Sequence, residues 1–367
     1  MSVLLENGKI HTRQLKVMAM LFSLGSAILI VPSGLTASAK QDGWIAAAVG
    51  TFAGLLLIFL FDALGRRFPN QTLVEYSETV LGKWLGKGVA LLYIGYFFLL
   101  SSLVLRNIGD FITSITLPET PIQAVHIIFL VIVILGTRLG LEVFMRTAEI
   151  FFPWILMLLF LLVVCISPQI QYYKMLPILE EGIKPVLKGS LSILGIPYLE
   201  LVVFLMLYPY VSKIEKAGKA LFIGALFAGV VLIMITALCV LVLGSDFTAR
   251  HAFPSYTLAK KIHFGEFIQR IEVFMGITWF LTIYFKLIVC FYASALGLAQ
   301  LCRLRSYRIL TLPMGVLLIV LSLIVYPNIV YFREFASQIW TPFAMTFGLV
   351  LPVLLLTVAS IRKKLRS

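Results

Sequence analysis

The chain has 367 residues, 60% of them hydrophobic and 13% charged, with 30 Lys and Arg against 17 Asp and Glu and a net charge of +13. An ordinary soluble domain carries about 25% charged residues, so a soluble globular protein is excluded, and the basic excess reads as loops facing anionic lipid, with no nucleic-acid partner. A spanning helix needs about 20 apolar residues; ten of them would consume most of the chain and leave no room for a sizeable soluble domain.

Apolar runs predict the first five spans at Gln14 to Leu35, Trp44 to Leu64, Gly88 to Ile112, Pro121 to Leu139 and Ala148 to Ser167. The second five are predicted at Lys188 to Pro209, Lys219 to Leu243, Ile271 to Ala299, Ile309 to Tyr326 and Gln338 to Ile361. The expected fold is therefore an all-α integral membrane protein, a single membrane domain with approximate repeats at 10–170 and 185–365. Ten spans put both termini on one side. That side carries the denser basic residues, among them Lys9, Arg66, Arg67, Lys83, Arg138, Lys213, Arg303, Arg362 and Arg366. The other side carries fewer, including Lys40, Arg250, Arg270 and Arg333, so the positive-inside bias makes the termini cytoplasmic. Ala37-Ser38-Ala39 mimics a signal-peptide cleavage site, but the apolar stretch before it is too long for a usual signal core.

The first span contains Gly25-Ser26-Ala27-Ile28 and then Pro32; the sixth, five spans later, contains Gly195-Ile196-Pro197-Tyr198-Leu199-Glu200. Gly loosens helical backbone, and Pro removes a donor and clashes with the preceding turn. Interrupted helices at corresponding positions of two halves point to an inverted-repeat architecture with a ligand at the midplane. The freed N–H groups suit a carboxylate, and the freed carbonyls an ammonium or a metal cation; an α-amino acid has both groups. The plainer alternative is a pair of kinks.

Ionisable residues at membrane depth each need an explanation. Arg106 and Asp110, four apart on the third span, form either a structural ion pair or a gate. Glu200 is open to three readings: a partner for a ligand ammonium, a proton carrier, or a structural acid. Lys286, fourteen residues after Glu272 on the same helical face, replaces a coupling ion with its own charge, pairs with a carboxylate on a neighbouring helix, or snorkels toward the interface. Tyr93, Tyr96, Ser101 and Ser102 on the third span and Thr278 and Thr282 on the eighth supply hydroxyls near the expected midplane, although such groups commonly bond their own backbone. No nucleotide loop, HExxH or GxSxG occurs. His11, His126, His251 and His263 lie on separate segments, and Cys165, Cys239, Cys290 and Cys302 form no CxxC pair; neither an enzyme, a cofactor nor a metal site is expected.

A more specific pattern runs through the connections: Arg66-Arg67-Phe68-Pro69 with Thr72-Leu73, Leu81-Gly82-Lys83-Trp84-Leu85-Gly86, Leu117-Pro118-Glu119-Thr120-Pro121, and Gly140-Leu141-Glu142 with Arg146, Glu149 and Pro153. Together with Gly25, Gln41-Asp42-Gly43-Trp44, Pro177, Gly182, Pro185, Pro209, Pro254 and Pro313, it resembles, over nearly the whole chain, the B subunit of the GerA-type spore germinant receptors, a branch of the amino acid–polyamine–organocation transporter superfamily. Each motif also has a local explanation; Arg146 and Glu149, for example, sit at the spacing of an i,i+3 pair. The resemblance implies a LeuT-like fold and a germinant sensor in the spore inner membrane, working beside an A subunit and a lipoprotein C subunit. The germinant would be a small L-amino acid. The pocket would be formed by Gly25 to Ile28 and Gly195 to Leu199, closed by Tyr96, Ser101, Thr278 and Thr282. Glu200, Lys286, Arg106 and Asp110 would serve ion coupling or gating. A proton- or sodium-coupled amino acid transporter is the alternative.

Overall fold

The computed structural model describes residues 6, 8–261 and 272–364; Ile271, predicted to open the eighth span, and His263, Arg270 and Arg366 lie outside the described residues. Every regular element among the described residues is helical. Among the described residues eight helical stretches are long and apolar enough to cross a membrane, and Thr311–Ile324 with Ile329–Gln338, bent by 94°, makes a ninth. The first stretch, Ala27–Arg67, has 41 residues, about 60 Å if straight and twice the hydrocarbon thickness. It folds at Lys40–Asp42, where Lys40 has φ 47°. Dividing it there gives the tenth span: the first is Thr12–Leu24 followed by Ala27–Ala39, and the second is Gly43–Arg67.

The remaining spans run Lys83–Phe111, Ile122–Leu139, Leu141–Ile166, Ile183–Met206, Ala217–Leu243, Glu272–Leu301, Thr311–Ile324 and Trp340–Lys364. The fifth starts seven residues before its predicted Ala148, because Gly140 at φ +101° reverses the chain in a single residue and lets the next helix begin at once. Four shorter helices had no apolar signature of a span: Leu73–Leu81, Ser245–Arg250, Pro254–Lys260 and Ile329–Gln338. Leu73–Leu81 starts in a capping box, in which Thr72 accepts from the Glu75 N–H and Glu75 accepts from the Thr72 N–H.

The two halves of the first span occupy the centre. Thr12–Leu24 packs on the seventh and eighth spans, and Ala27–Ala39 on the start of the sixth. Small residues allow these approaches: a Cβ on Gly50 would strike Ile193, one on Gly54 the Tyr198 ring, and one on Gly224 the Lys16 carbonyl. The fourth, fifth and ninth spans form the periphery, turning Ile128, Ile132, Trp154, Phe160, Val316 and Leu317 outward, as lipid-facing surfaces do. The molecule is an integral membrane protein.

Contacts between connections fix the parity of the spans. At one end Ile10 exchanges backbone hydrogen bonds with Tyr210 and Ser212, Arg66 donates to the Glu215 carbonyl, and Arg67 donates to the Ala359 carbonyl. Both described ends of the chain therefore meet the connection between the sixth and seventh spans or its neighbours. At the opposite end Asp42 accepts from the Leu179 N–H, and Lys40 pairs with Glu181 at 2.5 Å, a hydrogen bond that raises the Lys40 pKa. The GLE-R-E motif is resolved differently from a local i,i+3 pair. Arg146 binds Glu142, one turn back, while Glu149 reaches Arg13 at 2.8 Å, tying the fifth span to the first.

Candidate functional site

The first span is interrupted for two residues only, Gly25 and Ser26. Gly25 allows the eighth span to cross the break: a Cβ there would lie 2.6 Å from Lys286 Cδ and 2.9 Å from Lys286 Cβ. Pro32, one turn into the second half, cannot donate to the Ile28 carbonyl. The Ser255 hydroxyl takes its place at 2.6 Å, carried by the short helix Pro254–Lys260. The sixth span does not come apart in the same way. Around Pro197 it widens into a π-helical turn at Leu194–Tyr198, then tightens into a 3₁₀ helix over Leu199–Met206. A proline lacking its N–H is accommodated by a change of winding, a common mark of functional segments.

This change of winding carries Glu200 against the break. Lys286 Nζ lies 2.5 Å from Glu200 Oε2, with the two side chains 0% and 2% exposed. The Trp340 indole N–H donates to Glu200 Oε1 at 3.1 Å, and Lys286 Nζ sits 5.4 Å above the Phe22 ring. One ion pair thus joins the sixth and eighth spans and touches the first and tenth. An ammonium has three donors, yet among the described residues Lys286 Nζ has no partner besides Glu200, and Glu200 Oε2 none besides Lys286.

A cavity of about 20 Å³ adjoins the pair, lined by Ser26, Ile30, Asn107, Ile196, Glu200 and Trp340 and capped by Phe332 and Phe335. That volume holds about one water. Beyond it, toward the end opposite the termini, lies a larger cavity of about 300 Å³ whose polar lining includes Ser33, Ser192, Arg333 and Glu334. Ile30, Ile196 and Ala336 line both and form the partition. The arrangement is a vestibule leading to a small midplane chamber that ends on the Glu200 carboxylate, with Lys286 paired to it from behind.

The residues singled out from the sequence divide into those at this chamber and those outside it. Gly25, Ser26, Ala27 and Ile28 are at the break, and Ser26 lines the chamber. Gly195 packs on Thr341, and Leu199 on Gly348. Pro197 is buried in the π turn. Tyr198 turns toward the second and seventh spans, where its hydroxyl donates to the Ala225 carbonyl at 3.2 Å. Tyr96 stacks on Trp340 and, at 4.4 Å, on Phe347. Ser101, Thr278 and Thr282 donate to Phe97, Phe274 and Trp279 carbonyls of their own helices. Arg106 and Asp110 pair at 3.0 Å nearer the vestibule end.

Trp340, Asn107, Phe332, Phe335 and Ser255 had not been singled out. Asn107 carries the one sequence signal that was available, an amide between Arg106 and Asp110 in an apolar helix. It accepts from the Tyr326 hydroxyl at 3.0 Å and lines the chamber. The Pro32–Ser255 complementarity spans more than two hundred residues and leaves no local signature. Among the described residues no group of three His, Cys, Asp or Glu is arranged to hold a metal.

With this geometry in view, the comparisons with known proteins are consistent at every level. The family model described as spore germination protein matches residues 9–330. Spore germination protein KB of Bacillus subtilis (strain 168) is 30% identical, covering 99% of this chain and 98% of its own length. Spore germination protein YndE of the same organism is 26% identical over 97% and 98%. Spore germination protein A2 is 27% identical over 76% of each chain. Among solved structures, the nucleobase-cation-symport-1 family transporter Mhp1, in a closed conformation with bromovinylhydantoin bound, superposes with a TM-score of 0.68 at 15% identity, covering 93% of this chain and 78% of its own. MhsT in complex with L-phenylalanine superposes with a TM-score of 0.69 at 16% identity, covering 91% and 87%. At such identities the likeness is one of fold, the LeuT-like fold with its interrupted first and sixth helices.

Proposed function

Because the chain belongs to the spore germination protein family, we propose that it is the germinant-sensing membrane subunit of a spore receptor, and that a small L-amino acid acts by dividing the Glu200–Lys286 pair. The observation that carries this reading is the pair itself, buried at the helix break, with a vestibule on one side. Separating two buried charges leaves each uncompensated, which costs several kcal/mol. A zwitterion removes that cost, since its carboxylate replaces Glu200 at Lys286 and its ammonium replaces Lys286 at Glu200. Neither a lone anion nor a lone cation does both.

A ligand shifts an equilibrium only through different affinities for the two states. Here the paired state has a chamber of about 20 Å³, too small for an amino acid, so binding selects a wider state in which the sixth and eighth spans have moved apart. Phe332, Phe335 and Trp340 then move with the ligand, and the tenth span carries the change outward. The setting is the spore inner membrane, with the termini in the core by the distribution of basic residues. The receivers are an A subunit and a lipoprotein C subunit. Spans at 10–170 and 185–365 act as the two repeats whose meeting line holds the ligand.

A proton- or sodium-coupled amino acid carrier is the second reading, favoured by the fold shared with a transporter and by Lys286, a fixed cation at the break. The two are separated by measuring binding of labelled L-amino acids to the purified chain in nanodiscs, together with uptake of the same compounds into proteoliposomes under an imposed gradient. The sensor predicts saturable binding without accumulation. Gradient-driven accumulation would establish the carrier instead.

A further inference from the structure

The second span ends in Arg66 and Arg67, and the tenth runs into Arg362, followed in sequence by Lys363, Lys364 and Arg366. The three arginines converge on a cavity of about 530 Å³ at the end of the molecule that carries the termini, with Phe68, Val80 and Ala359 as its apolar wall. Among the described residues no acidic side chain lines it. Arg66 is balanced by Asp62 at 2.8 Å and also donates to the Glu215 carbonyl. Arg67 donates to the Ala359 carbonyl at 2.8 Å and the Ser360 hydroxyl at 3.1 Å, and Arg362 reaches the Thr79 carbonyl at 3.5 Å. Among the described residues neither Arg67 nor Arg362 has a carboxylate partner. Two guanidinium charges therefore face one cavity with no carboxylate among the described residues to balance them.

The position of the cavity identifies what balances them. It opens where the second and tenth spans end in basic residues, as spans do where they leave the membrane. On the membrane side the same two spans turn Phe52, Phe59, Val353 and Leu354 outward. A ligand suited to this place has an anionic head for the arginines and hydrocarbon for the flanking helices. We propose that the cavity holds the phosphate of an anionic phospholipid headgroup. Guanidinium groups make strong charge-assisted bonds to phosphate, and basic pockets between spans at the membrane surface are suited to such headgroups. A headgroup with its own ammonium would return a positive charge to the cavity, so net-anionic lipids are preferred. Bound there, the lipid ties the second span and the helix Leu73–Leu81 to the end of the tenth.

The test is native mass spectrometry of the full chain from micelles containing equal phosphatidylglycerol and phosphatidylcholine. The wild type is expected to retain phosphatidylglycerol preferentially. Arg362→Gln, which removes only one long hydrogen bond within the protein, lowers that retention about five-fold, the value of one basic residue near a charged membrane surface, and leaves phosphatidylcholine unchanged. Thr79→Glu, at an exposed helical position on the rim, has the same effect through an opposing charge. Equal retention of the two lipids by the wild type, or unchanged phosphatidylglycerol retention in both variants, would overturn the site. Displacement of phosphatidylglycerol by millimolar inorganic phosphate would show a soluble anion as the occupant and overturn the lipid assignment, and protection of the arginines by an acidic peptide but not by phosphatidylglycerol would assign the cavity to a protein partner.

Discussion

Two buried ion pairs lie within the membrane-spanning bundle, and they are built on opposite principles. Arg106 and Asp110 sit on one helix and are saturated. The guanidinium donates to Asp110 and to the Leu323 carbonyl at 2.9 Å, with longer contacts to Ser322 and Pro327, while the Tyr326 hydroxyl donates to Asp110 at 2.7 Å. Glu200 and Lys286 come from different helices and have little besides one another and Trp340. A saturated buried pair has nothing to gain from a new partner. An undersaturated pair between separately moving helices retains donors for a ligand, and its separation is a change of shape.

The largest expected effects break each pair in turn. Lys286→Met leaves Glu200 alone and should cost about 3–5 kcal/mol of stability, read as a lowered thermal midpoint in detergent. Adding Glu200→Gln should recover most of that loss, since few other bonds depend on the pair. Arg106→Met should cost a similar amount, but adding Asp110→Asn should not fully restore it, because the Leu323 carbonyl, which accepts from the guanidinium, keeps an unmet demand of about 1–3 kcal/mol. Equal recovery in both doubles would erase the distinction between the pairs.

Next in size is Gly25→Ala. Its new Cβ meets the Lys286 stem, whose Cβ cannot swing away, so a loss of about 1–3 kcal/mol is expected, along with germination in response to nutrient; a variant with normal stability and response would show the break to be loose. Tyr326→Phe sharpens the contrast from the other side. It should lower stability by about 2 kcal/mol by removing a bond to a charged acceptor, yet leave amino acid binding intact, as measured in nanodiscs. The smallest effect is expected of Ser255→Ala, about 1 kcal/mol, from the Ile28 carbonyl that Pro32 cannot serve.

Most of the fold was legible in the sequence because lipid imposes a simple code, and the ten spans differ from the apolar runs chiefly at their ends. The break at Gly25 was legible too, since glycine and proline act on the backbone they occupy. Glu200 and Lys286 were each conspicuous as charges at membrane depth, but their pairing was not: it depends on the π turn and 3₁₀ segment after Pro197, and no periodicity in the sequence encodes that change of winding. The hydroxyls of Ser101, Thr278 and Thr282 show the converse limit. Composition marks them as polar, while the direction of each is set by the nearest carbonyl of its own helix.

The most direct measurement compares binding of a panel of L-amino acids in nanodiscs between the wild type and Glu200→Gln/Lys286→Met, with the thermal midpoint confirming that both fold. The account predicts saturable binding of at least one amino acid by the wild type and its loss in the folded double variant. Equal affinity in the two proteins would contradict it, since the ligand would then be held without the charges that Glu200 and Lys286 supply.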